Sequence, residues 1–244
     1  MQSYMLTSAE LAVLVNHMTG GRLLEKTASL PELQVDEQGL SAAEEELLDR
    51  GLLVSLPFEE VSGVTSQLAS LLSAAITPDR VCIVRTVHGD HTDPPVFFSF
   101  TPECITRNQV DEQGQHVFAE LADREEAVSA IPTLGAAEEA PLKKGVAKKT
   151  PAKKNRAATK PRPVADLLKE ATRLVMLMVV ADPAEPSAAA ASLTWLETEA
   201  GLWLVDGSSD GEAPLAVPVA EKALRQRIGA AVEGQDMPES AAAI

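Results

Sequence analysis

Between residues 143 and 162 the chain reads KKGVAKKTPAKKNRAATKPR, with nine Lys and Arg, no acid, and one valine as its only sizeable apolar side chain. A run of this composition cannot bury a core, and its like charges keep it solvated. It divides the chain into two stretches, with the basic strap joining them. The run also holds nine of the 21 basic groups, which leaves 12 basic against 36 acidic groups elsewhere, a net of −24. The expected organisation is a helical N-terminus plus a first αβ half over residues 1–135 and a flexible, protease-sensitive linker over 136–162. A second αβ half over 163–233 and a frayed tail over 234–244 complete it.

The charge balance constrains partners. A body at −24 repels phosphate backbones, so nucleic acid could be approached only through the strap, by Lys143, Lys144, Lys148, Lys149, Lys153, Lys154, Arg156, Lys160 and Arg162. Eight aromatics in 244 residues argue against a carbohydrate cleft, a flavin pocket or a base-stacking platform. Two cysteines exclude a disulfide scaffold and are too few for a four-Cys zinc site. The longest apolar run, Leu174 to Ala181, falls far short of the roughly 20 residues that cross a bilayer. The start lacks a basic segment ahead of its apolar stretch, so a cytoplasmic protein with reduced thiols is expected.

Local signals give an α+β order. Leu6-Thr7-x-x-Glu10-Leu11 reads as a capping box with a hydrophobic staple, and Gly20-Gly21 ends that helix. Ser41-x-x-Glu44 reads as a second box, with Gly51 as the left-handed stop. A third helix is expected from Val61 to Ala75. Strands follow at Arg80 to Val87, Pro95 to Thr101, Ile105 to Val110 and Gln115 to Leu121, the last two around the turn Asp111-Glu112-Gln113-Gly114. Asp123-x-x-Glu126 caps a helix reaching Ile131. Beyond the linker come a helix (Val164 to Ala171), four strands (Arg173 to Val180, Ser192 to Thr198, Gly201 to Val205, Pro214 to Pro218) and a closing helix (Ala220 to Val232). The two stretches repeat one order of elements. They read as two pseudo-repeated half-domains, each a small antiparallel or mixed sheet with flanking helices.

Chemistry is sparse. His88-Gly89-Asp90-His91-Thr92-Asp93, with Cys82, Cys104 and His116 in the same half, is the best metal candidate. The hydrolase motif built on paired histidines sets them four apart on a helix with a Glu between, and neither condition holds here. Cys104 and His116 suggest a nucleophile and base, with no orienting partner or oxyanion-hole glycine motif. No catalytic, metal or cofactor-binding residue is assigned, and an enzyme is not expected. The helix SAAEEELLDR ahead of Gly51-Leu52 has the placement of a winged-helix reader, but its three consecutive glutamates oppose DNA.

An N-terminal L-T-x-x-E-L-x-x-L segment (Leu6 to Leu14) comes before a helix ending in Arg50-Gly51-Leu52. Two αβ halves follow, and Glu199-Ala200-Gly201-Leu202-Trp203, Pro218 and Leu224 lie near the end. This layout resembles the EspG-type specificity chaperones of type VII secretion. The resemblance implies a cytoplasmic, non-enzymatic protein on a pseudo-two-fold α/β plan that binds the tip of helical secretion substrates and keeps them soluble. Gly201-Leu202 and the Lys-rich insertion depart from that pattern, and no binding residue carries over. The expected function is a non-catalytic protein-binding protein, a chaperone or adaptor. The alternative is a nucleic-acid-associated regulator using the strap and a degenerate winged-helix-like N-terminus.

Overall fold

The computed structural model describes residues 3–20, 36–55, 62–132, 160–181, 189–206 and 213–234. Within them the chain is a mixture of six helices and antiparallel strands. It gathers into two compact units: Met1–Arg85, Pro94–Ala127 and Leu177–Ser192 in one, and Thr86–Asp93, Val128–Met176 and Leu193–Ile244 in the other.

In the first unit, β1 (Ser3–Leu6) leads into α1 (Ser8–Thr19). The capping box is formed as the residue types dictate. Glu10 N donates to Thr7 Oγ1 at 3.1 Å, and Thr7 N donates to Glu10 Oε2 at 2.6 Å. Gly20 closes the helix at φ 61°. The next helix, α2 (Glu37–Asp49), departs from the expected start at Ser41. Its N-cap is Asp36, whose Oδ1 accepts from Gly39 N at 2.7 Å, and Glu44 is turned instead to His17 on α1 at 3.1 Å. Its end is a Schellman turn. Leu52 N donates to Leu47 O at 2.9 Å and Gly51 N to Leu48 O at 3.0 Å, with Gly51 at φ 65°.

The expected third helix starts late. Residues 62–64 form β3 (Ser62–Val64), paired antiparallel with β2 (Leu53–Ser55), and α3 (Ser66–Ile76) begins only after Thr65. The chain leaving the Schellman turn needs a backbone partner, and Leu53 finds it in Val64.

The sheet of this unit contains β4 (Arg80–His88), β6 (Val96–Phe100), β7 (Ile105–Val110) and β8 (His116–Leu121), in the order β1-β8-β7-β6-β4. The turn read at Asp111 to Gly114 is present. Asp111 Oδ1 accepts from Gln113 N at 2.9 Å and Gln115 N at 2.8 Å. Tyr4, Phe118, Asn108, Phe97 and Ile83 stand in one cross-strand row. Phe118 packs in the core with Leu6, Leu11, Leu14, Leu47, Leu68 and Leu72, all fully buried, and Met178 lies against Ile83 and Phe97. Helix α4 (Arg124–Ala130) follows β8, with Asp123 Oδ1 accepting from Glu126 N at 2.8 Å.

After residue 160 the chain continues with β9 (Arg162–Pro163) and α5 (Val164–Leu167), both in the second unit. The helix expected as far as Ala171 is only four residues long, because the polar turn Lys169-Glu170 ends it and Ala171 already belongs to β10 (Ala171–Val180). Then come β11 (Ala189–Thr198), β12 (Gly201–Asp206), β13 (Leu215–Val219) and α6 (Glu221–Glu233). Thr198 pairs directly with Gly201, so Glu199-Ala200 is a two-residue hairpin loop. Trp203 packs with Leu167, Leu196 and Ala216, and its Nε1 donates to Thr198 Oγ1 at 3.2 Å. Leu224, Ile228 and Ala231 are the buried face of α6, as their spacing requires.

Candidate functional site

The histidine-rich segment folds as a tight hairpin. Gly89, at φ 58°, and Asp90 form a two-residue loop between β4 and β5 (His91–Thr92), which places His88 and His91 directly opposite each other. Asp93 N closes the ladder on Thr86 O at 2.9 Å. The Asp93 carboxylate then sits between the imidazoles, with Oδ2 3.2 Å from His88 Nε2 and Oδ1 3.3 Å from His91 Nε2. Cys82, Cys104 and His116 do not join this group. Among the described residues, no group of three or more His, Cys, Asp or Glu side chains is placed so that it could hold a metal ion.

Cys104 and His116 are not brought together either. Ile105 pairs with Leu121 at one end of the β7–β8 ladder and Val110 with His116 at the other. Five residues of strand separate those ends by about 17 Å. Cys104 Sγ lies 3.6 Å from Thr106 Oγ1, and His116 Nε2 lies 3.3 Å from Ser8 Oγ. Burial pushes the Cys82 thiol up to about 12, with the Arg80 charge as a small offset, so it carries no thiolate at neutral pH.

Of the nine cations named in the strap, Lys143, Lys144, Lys148, Lys149, Lys153, Lys154 and Arg156 lie outside the described residues, as do most of the linker and all but the first residue of the tail. Lys160 is exposed. Arg162 is engaged inside the second unit. Its Nη2 donates to Glu170 Oε1 at 2.7 Å and its Nη1 to Glu170 Oε2 at 3.0 Å, while the guanidinium lies 5.5 Å from the Trp203 ring centroid. The hydrogen bonds from Arg162 hold the Glu170 carboxyl below its ordinary range.

Two open grooves lie in the first unit. The β6–β7 turn and the β8–α4 junction enclose an open groove of about 680 Å³, lined by Thr101 to Ile105 and Glu120 to Asp123 among others. A second groove of about 640 Å³ shares the Thr101–Cys104 turn and runs along Ser66, Ala69, Ser70 and Ser73 of α3. Met5, Leu48 and Val54 are large apolar side chains left exposed in this unit, as are Leu168 and Leu215 in the other. The outward face of α2 carries Glu45, Glu46 and Asp49, which opposes a phosphate backbone.

Two ion pairs carry no local sequence signal. Arg50, at the end of α2, donates through Nη1 to Glu10 Oε1 and through Nη2 to Met5 O at 2.9 Å. Arg173 Nη2 lies 2.7 Å from Glu197 Oε2, a pair formed by residues of β10 and β11. Both join residues far apart in the chain, so no spacing rule points to them. Among the described residues no helix is long and apolar enough to cross a membrane.

No family model matches the chain, and no curated protein matches it in sequence. Among solved structures, the fold is similar to that of the Mycobacterium tuberculosis type VII secretion system chaperone EspG5 in complex with a PE25–PPE41 dimer. The TM-score is 0.55 at 11% identity, over 100% of this chain and 100% of that one. At that identity the likeness is one of fold.

Proposed function

We propose that this chain is a non-catalytic, cytoplasmic protein-binding protein, a chaperone or adaptor for a secretion substrate. The observation that carries the reading is the end-to-end fold similarity to a secretion chaperone. The resemblance read from the Leu6 to Leu14 segment and the repeated αβ layout supports the same conclusion. So does the charge of the body, which keeps it soluble while opposing nucleic acid.

The repeated layout is itself part of the reading. The first stretch runs α3, β4, β6, β7, β8, α4 and the second α5, β10, β11, β12, β13, α6, each a helix, an antiparallel meander and a helix. We take the two as a duplication. In sequence, the basic strap joins them.

The test is affinity capture of the full chain from its native cell, followed by reconstitution of the captured protein with purified components. A stoichiometric complex with a secreted helical protein, stable at physiological salt, is the expected result. Recovery of nucleic acid through the strap, with no protein partner, overturns it.

A further inference from the structure

We propose that His116 is an acid-sensitive latch, whose uptake of a proton releases the corner between β1 and α1 and lets β1 part from β8. The fold places one ring across that corner. His116 stands opposite Leu6, the last residue of β1, and its Nε2 lies 3.3 Å from Oγ of Ser8, the first residue of α1. Thr7 alone separates those two residues in the chain. Phe118 stacks on the same ring with 6.4 Å between centroids, and His116 is 2% exposed.

The site suits the neutral ring alone. With its proton on Nε2 the imidazole donates to Ser8 Oγ and leaves a lone pair at Nδ1. A second proton makes Nδ1 a buried donor without an acceptor and brings a charge into the core. That charge also meets the positive end of the α1 dipole. The groups around the ring do little to offset it. On α1, Glu10 is already engaged by Thr7 N and by the Arg50 guanidinium of α2. In the turn after β7, Asp111 holds Gln113 N and Gln115 N. The β7 residues on the same face, Thr106, Asn108 and Val110, are uncharged, β1 adds the phenol of Tyr4, and α3 carries no ionisable side chain. Burial accordingly pushes the ring's pKa down, and the Asp111 charge restores only part of it. Opening at β1 relieves the ring with the least loss of structure, because β1 has four residues and β8 as its neighbouring strand. A released ring takes its proton below about pH 6.5, so the open population grows by up to about ten-fold between pH 7.5 and 5.5.

The test follows amide hydrogen exchange of the full chain by NMR at pH 7.5 and 5.5, with each rate divided by its intrinsic value at that pH. The amides of the β1–β8 ladder should exchange several times faster at pH 5.5, while the β6–β7 and β11–β12 ladders keep their protection. The His116 ring signals should titrate over the same range in which β1 loses protection, a comparison that the parent chain supplies without any variant. His116→Gln can still donate to Ser8 but takes up no proton, so it should abolish the response. His116→Phe should abolish it too, and serves alone if the Gln variant does not fold. His17→Gln and His91→Gln should leave the response intact. A change at β1 of less than about two-fold, an equal loss of protection in every ladder, or a response that survives in a His116 variant overturns the proposal.

Discussion

His116 is 2% exposed, with Nε2 on Ser8 and Nδ1 without a partner. Burial pushes its pKa below the ordinary value, and the charge of Asp111 offsets only part of that. The unfolded chain therefore takes up a proton that the folded chain refuses. The stability associated with this ring is intact above about pH 6.5 and is lost as pH falls through that value towards the folded pKa. Urea unfolding at pH 7.5 and 5.5 should show the parent losing more stability on acidification than a His116→Phe variant does. Asn108 makes a second residue-scale test. It is 1% exposed in the row between Phe97 and Phe118, and neither end of its amide has a partner. Asn108→Val should raise unfolding stability by about 1 kcal/mol, because it removes an unsatisfied polar group rather than a bond. Neither residue announces its burial in the sequence. A polar residue at an inward strand position is visible only once register is known.

Helix ends were legible where the chemistry is local. Thr7, Glu10, Gly20 and Gly51 act as their residue types require, because a cap involves atoms within four residues of each other. Ser41 misled because its box residue, Glu44, is drawn to His17 across the interface with α1, a contact no local window contains. The structure separates the two candidate caps by experiment. Asp36→Ala should cost about 1 kcal/mol in denaturant unfolding, whereas Ser41→Ala, now inside the helix, should cost nothing measurable. Strands β7, β8 and β10 to β13 were legible from their β-branched and aromatic content and their turns. The short strands β1, β3 and β9 were not, since Ser3–Leu6 exists as a strand only through β8, more than a hundred residues away.

At the scale of the whole molecule, the mixture of helix and antiparallel strand could be read from pattern. The resemblance to a secretion chaperone, drawn from short motifs and layout, agrees with the full-length fold similarity. The hairpin cluster could be named from its residues, but that His88 and His91 stand opposite each other depends on a two-residue loop that only the strand register reveals. Residue Arg50 has a consequence at this scale too. In the first unit β1 is the outermost strand, and the Met5 carbonyl, which could otherwise template another chain, is taken by the Arg50 guanidinium. Loss of Arg50 is therefore expected to leave that carbonyl open to a strand of another molecule. Light scattering over a range of concentrations should show the apparent mass of Arg50→Ala climbing above that of the parent, as unguarded margins of separate molecules find one another.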